Sequence, residues 1–188
     1  WREKLSDGRL EDLKKTLART TGYSERLIEM EFSLIPMVLN GENIRENLEY
    51  SPARDIRVFE RFVEVKNGES FRIAPAGPVL IISSGNSLLP AIIPSTISLA
   101  TGNLTIVKPS VSNYLGVVEV FGTLGEIANS EAARTMMEAL VISYFTHDSS
   151  SLRYLLGEAE LGVVNFWGGE PARTSVLKMV SENPNHPK

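Results

Sequence analysis

The sequence predicts an α/β fold built on a doubly wound parallel sheet. Four short apolar runs, at 79–83, 104–108, 140–144 and 161–166, alternate with helical patterns at roughly 25–35 residue spacing, the rhythm of strand–helix–strand units. Between Arg72 and Lys108 there is no charged residue, as expected of parallel strands covered on both faces. That stretch is interrupted by Gly77, Pro78, Gly85, Asn86, Pro90, Pro94 and Gly102, so it does not read as a membrane span of about 20 continuous apolar residues. Together these features describe a Rossmann-like sheet, preceded by a helical segment and a β-hairpin.

Composition sets the outer bounds. The 188 residues suffice for one domain with its own core, or one domain with small appendages. The chain is 43% hydrophobic and 22% charged, with net charge −4 and pI about 5.3. Nothing in that balance draws it to nucleic acid or to an anionic membrane. There is no cysteine, which excludes a disulfide, a thiolate metal site or a cysteine nucleophile within these residues. No signal peptide pattern is visible, and the expected location is the cytoplasm. The chain begins at Trp1 and stops at Asn185-His186-Pro187-Lys188 without an obvious end, so it is expected to be a fragment.

Residues 3–20 are charged, with Leu10, Leu13 and Leu17 at helical spacing, and predict one helix that Gly22 ends. A second helix starts at Ser24, an N-cap followed by Leu27 and Ile28, and runs to residue 39, where Asn40-Gly41 stops it. A short helix at 44–48 completes a helical segment, 1–56, read as an appendage rather than as the site. Ser51-Pro52 opens a stretch that is helical at first and then extended through Val63-Glu64-Val65. Asn67-Gly68 signals a two-residue turn, since both tolerate the positive φ of type I′, and 71–74 is the return strand. The hairpin lies in a linker, 57–76. It serves either as a surface element or as a contact between subunits.

The nucleotide-binding α/β unit is assigned to 77–188. Strand 79–83 leads to a helix over 88–100, with prolines tolerated near its start. Strand 104–108 is followed by Ser112, a candidate N-cap for a helix reaching Ala128, and by a further helix at 131–138. Strand 140–144, a helix at 149–156, strand 161–166 and a helix at 171–182 opened by Pro171 complete the unit. No internal repeat or low-complexity tract interrupts it.

In open α/β sheets ligands lie beyond the carboxyl ends of the strands. Three such ends stand out. Ser83-Ser84-Gly85-Asn86-Ser87 offers a side-chain amide, and Lys108-Pro109-Ser110 a cation. Trp167-Gly168-Gly169 offers a glycine pair entering a helix N-terminus, a natural phosphate site. Neither G-x-G-x-x-G nor the P-loop pattern is present. His147 and Asp148 follow the third strand. Adjacent residues make no dyad by themselves and no nucleophilic serine motif accompanies them, so they read as loop and helix-cap residues. His186 takes no role, and no metal constellation is visible.

The order and spacing of these motifs resemble the cofactor domain of the aldehyde dehydrogenase superfamily. The family pattern is a G-P-V strand, an Asn-containing turn, a helix ending in A-x-G-N, a strand ending in K-P-S and a later F-T-G-S. The counterparts are Gly77-Pro78-Val79, Asn86, Ala100-Thr101-Gly102-Asn103, Lys108-Pro109-Ser110 and Phe166-Trp167-Gly168-Gly169. With its F-W-G-G form and S-S-G-N-S turn, the chain is most similar to the acyl-CoA reductases of the bioluminescence fatty-acid reductase type, from residue 73 onward. The resemblance implies a three-layer αβα fold and specific roles. Asn86 would donate its amide to the oxyanion of a tetrahedral adduct; the alternative is a turn residue capping the next helix. Lys108 would bind the adenosine ribose or its 2′-phosphate, or else is a solvated lysine. Gly168 and Gly169 would admit the pyrophosphate, or else form a plain tight turn. Trp167 would line the cofactor cleft, or else pack. Ser84, Gly85 and Ser110 complete the implied cofactor-binding set.

Two departures bear on function. Many NAD-preferring members carry an acidic residue after K-P-S, where Val111 stands here. Without that acid a 2′-phosphate meets no repulsion, which favours NADP(H) over NAD(H). Arg173 would assist, or else is a surface residue. The family's cysteine nucleophile lies in a downstream second domain and is absent from these residues. The resemblance therefore implies the cofactor-binding part of an enzyme that reduces a fatty acyl-CoA thioester to an aldehyde through a cysteine acyl-enzyme, with acyl-CoA or aldehyde as substrate. Family practice implies a homo-oligomer, dimer or tetramer. The alternatives are an NAD(P)-dependent aldehyde dehydrogenase, a non-catalytic nucleotide-binding module, and a structural domain with no ligand.

Overall fold

A computed structural model describes residues 1–50, 54–65, 67–127 and 129–188. The chain opens with four helices, Arg2–Ser6 (α1), Glu11–Thr21 (α2), Glu25–Val38 (α3) and Gly41–Glu49 (α4). The single helix expected over 3–20 is thus two. Gly8 takes φ +77° between them, a left-handed conformation that no helix continues through. Ser24 caps α3 as expected, its Oγ accepting from the Leu27 amide. Asn40, read as a stop, also starts α4: its Oδ1 accepts from the Glu42 amide, so the helix is longer than 44–48.

Ser51-Pro52, expected to open the next stretch, lies outside the described residues. Ile56–Phe59 forms a 3-10 turn, and Val63–Glu64 (β1) pairs antiparallel with Ser70–Phe71 (β2). The register sets Val63 opposite Phe71 and Glu64 opposite Ser70, which centres the turn on Asn67. That is wider than the two-residue type I′ turn expected, although Asn67 and Gly68 do both take positive φ. The return strand ends at Phe71 rather than continuing to 74. The Ile73 amide turns away to the Val58 carbonyl, 2.8 Å distant.

Nine further elements follow: Val79–Ile82 (β3), Leu89–Ala100 (α5), Thr105–Lys108 (β4), Tyr114–Glu126 (α6), Glu131–Glu138 (α7), Leu140–Ile142 (β5), Ser150–Gly157 (α8), Val163–Phe166 (β6) and Ala172–Glu182 (α9). The expected end of α6 at Ala128 falls outside the described residues. Asn113, not Ser112, occupies the N-cap of α6, because the Ser112 hydroxyl is turned to donate to the Gly85 carbonyl at 2.6 Å. The strands β3 to β6 are parallel, in the order β5-β4-β3-β6. The chain therefore winds outward from β3 through β4 to β5, then returns to the other side of β3, which is the doubly wound fold expected. At the β6 edge, Lys188 donates its amide to Gly162 and accepts from the Val164 amide, the bond pair of a parallel bridge.

The pleat sorts side chains between two layers. Leu80 and Ile82 face α8 and α9, where they pack with Leu152, Leu156, Leu161 and Val176; Ile106, Val164 and Phe166 join them. Val107 faces the other way, into a core with Ile92, Leu99, Val117 and Val120 of α5 and α6. Leu10, Leu17, Ile28, Phe32 and Ile35 belong to that same core. The N-terminal helices thus complete one layer of the three-layer fold.

Candidate functional site

β3 and β6 are neighbours whose chain connections leave in opposite directions, so the sheet has its switch point between them. A cleft of about 360 Å³ opens at the carboxyl ends of the strands there, on the α8–α9 side. Gly85, Lys108, Ser110, Trp167 and Gly168 border it. Ser84, Asn86 and Gly169 do not border it. No carboxylate does, among the described residues.

Lys108 is the last residue of β4 and pairs in register with Ile82. The pleat puts its side chain on the α8–α9 face. Its Nζ lies 5.7 Å from the Phe145 ring centroid and 6.0 Å from that of Tyr144. It makes no ion pair among the described residues. Burial pushes its ammonium pKa below the ordinary lysine value, since the charged form has lost water without gaining a carboxylate. It is a half-buried cation that an incoming anion would satisfy.

Other groups stand around or beside the cleft. Ser83 is buried, and its Oγ has no hydrogen-bond partner among the described residues. At the N-terminus of α9 the first amides are already engaged: that of Arg173 donates to the Gly169 carbonyl at 3.1 Å and that of Thr174 to Glu170 Oε2 at 3.2 Å. A Cβ on Gly168 would stand 2.6 Å from Cζ of Phe166, so a side chain there would drive that ring out of place. Val111 is 67% exposed at the cleft, with no acid in its place. Arg173 pairs with Glu170 at 3.6 Å and does not border the cleft.

The strand end that the sequence reading passed over is that of β5. Tyr144, Phe145, Thr146 and His147 follow it and all border the cleft. His147 is thus a wall residue. Neither it nor Asp148 caps α8: Ser149 does so, accepting from the Leu152 amide at 3.1 Å. The signal was available, because parallel strands bring every carboxyl end to the same edge of the sheet.

Asn86 stands on a turn braced from several directions. The buried Asn113 donates Nδ2 to the carbonyls of Ser84 at 2.8 Å and Ser87 at 2.6 Å. Asn86 does not cap α5. Glu31 of α3 serves that end: its Oε1 accepts from the amides of Leu88 at 2.6 Å and Leu89 at 3.2 Å, and from the Ser87 hydroxyl. The Asn86 Nδ2 donates to the Tyr23 hydroxyl at 3.1 Å.

Sheet order, covering helices and switch-point cleft define a Rossmann-like α/β protein, and solved structures narrow this to the aldehyde dehydrogenase fold. The chain is similar to a NAD-dependent benzaldehyde dehydrogenase from Corynebacterium glutamicum, with TM-score 0.66 and 19% identity over 99% of this chain. It is also similar to the glyceraldehyde-3-phosphate dehydrogenase GapN from Methanocaldococcus jannaschii complexed with NADP, with TM-score 0.65 and 14% identity over 96% of the chain. A probable aldehyde dehydrogenase from Listeria monocytogenes gives TM-score 0.60 and 17% identity over 94%. The chain spans 37% of the length of each. Comparison with curated proteins finds no match. A family model described as acyl-CoA reductase (LuxC) matches residues 2–186, and the chain belongs to that family.

Proposed function

We propose that this chain is the NADP(H)-binding part of an enzyme that reduces a fatty acyl-CoA thioester to an aldehyde. The observation that carries the cofactor choice is the acid-free cleft around Lys108, a half-buried cation without a carboxylate partner. A 2′-phosphate supplies the anion that this cation lacks, whereas a bare ribose does not. Val111 adds no repulsion where an acid would disfavour that phosphate. The fold alone leaves the choice open, since its neighbours include a NAD-dependent enzyme and one complexed with NADP.

When bound, the nicotinamide would supply the hydride. The chain's own residues would do the rest of the holding. Lys108 would grip the adenosine end, and the Gly168-Gly169 backbone would face the pyrophosphate. Asn86 would donate to the oxyanion that forms when a thiolate attacks the thioester carbonyl, and again when the acyl group is reduced. These residues contain no cysteine, so that thiolate would come from elsewhere in the enzyme. Within this reading the enzyme is a cytoplasmic homo-oligomer. Among the described residues, no helix is long and apolar enough to cross a membrane.

The test is nucleotide binding by the whole enzyme. NADPH should bind more tightly than NADH, and Lys108→Ala should erase most of that difference, weakening NADPH by about tenfold to a hundredfold, as for a lost charge-assisted contact. Equal affinity for both nucleotides, or an unchanged Kd in Lys108→Ala, would overturn the NADP(H) assignment.

A further inference from the structure

We infer that Tyr23 and Glu31, contributed by the N-terminal helices, are positioning residues that hold Asn86 for catalysis; this rests on the role proposed above for Asn86. An exposed asparagine on a surface turn is free to rotate about its side-chain torsions. Asn86 is exposed but not free, since one of its amide hydrogens goes to the Tyr23 hydroxyl at 3.1 Å. The Tyr23 ring is itself packed against the core that the N-terminal helices share with α5 and α6. The amide plane is thereby tied to a rigid layer of the fold, and the second N–H remains available to an oxyanion.

Glu31 acts one step further back. Its side chain is 7% exposed, and no lysine, arginine or histidine pairs with it among the described residues. Its partners are instead the Ser87 hydroxyl and the first amides of α5, those of Leu88 and Leu89. A carboxylate at a helix N-terminus is favoured by the helix dipole and satisfies amides that have no partner within the helix. Here the carboxylate comes from another helix, so this cap fixes α3 against the residue next to Asn86. Ser87 also caps α5 locally, its Oγ accepting from the Leu89 amide at 3.2 Å. The contact across the fold additionally sets where the turn stands. Ser112 and Asn113 brace the other side, through the Gly85, Ser84 and Ser87 carbonyls. A reacting group displaced by about 1 Å can lose about a hundredfold in rate, so such bracing bears directly on catalysis.

Tyr23→Phe removes the acceptor while keeping the ring, and Glu31→Gln keeps the shape while removing the charge. In the full enzyme, each should lower kcat about tenfold, with NADPH Kd and acyl-CoA KM within about twofold of the parent, because the loss falls on the transition state alone. Asn86→Ala should cost kcat about a hundredfold or more. In the Asn86→Ala background, Tyr23→Phe should cost nothing further, since residues acting through one another are not additive. A kcat unaffected by Tyr23→Phe and Glu31→Gln, or a Tyr23 effect that persists without Asn86, would overturn the positioning role. An Asn86→Ala enzyme of normal kcat that still binds NADPH would instead remove the catalytic reading of Asn86, and the positioning role with it.

Discussion

Lys108 ends a buried strand, and its chemistry follows from that place. The last position of β4 carries the side chain past the packed part of the sheet into the cleft, beside Tyr144 and Phe145. Its ammonium is protonated less readily than an ordinary lysine, whose pKa is 10.5, because burial removes water from the charged form. A bound phosphate would favour that charged form and raise the pKa, so binding would be linked to proton uptake. The sign follows: NADPH affinity should be full below the free protein's lowered pKa and should weaken as pH rises through it. Titrating NADPH Kd from neutral into alkaline pH checks this, and Lys108→Arg should hold its affinity to higher pH. Lys108, Ser110 and the Gly168 turn were legible as strand-end motifs. Ser83 was read only as part of the Asn86 turn and His147 only as a loop residue, since a serine ending an apolar run and a histidine in a loop carry no chemical signature until the strand ends are assembled.

Among the elements, the helices and parallel strands were legible from apolar periodicity and caps, including α7, which spans the residues expected. The misreadings share a cause. Gly8 breaks a charged helix whose pattern runs on, and the Val58 carbonyl takes the amide that would have extended β2. Neither event shows in local periodicity. The bracing of the Asn86 turn also falls between elements. Asn113 is fully buried at the N-cap of α6, yet its Nδ2 serves two carbonyls of the turn that follows β3. Asn113→Ala would leave both carbonyls short of a partner and should destabilise the protein by about 2–3 kcal/mol, measured by urea unfolding.

For the whole molecule, the decisive feature is the core shared between the N-terminal helices and the sheet. Phe32 is fully buried in it and lies against Trp1 with the rings tilted by 60° and their centroids 5.2 Å apart. Phe32→Ala should cost about 3–5 kcal/mol, read as a lowered midpoint in denaturant unfolding. Trp1 and Trp167 are the two tryptophans of the chain, one in the helical layer and one at the cleft. Fluorescence from each, isolated by replacing the other with Phe, should report coincident unfolding transitions if the layers form one cooperative unit. Two separated midpoints would show that the helical segment unfolds independently.

What the sequence by itself determined is the α/β class, the parallel strands and the three motifs at their ends. Those properties are written in alternation, caps and turn residues, which act between near neighbours along the chain. Only the tertiary structure decided which ends meet: that β6 returns beside β3, that the end of β5 joins the cleft, and that Tyr23 and Glu31 reach the Asn86 turn. Those contacts join residues about sixty positions apart, such as Tyr23 with Asn86 and Glu31 with Leu88. They arise because apolar faces on separate helices must be buried together, and a single residue's identity does not encode the partner that burial brings to it.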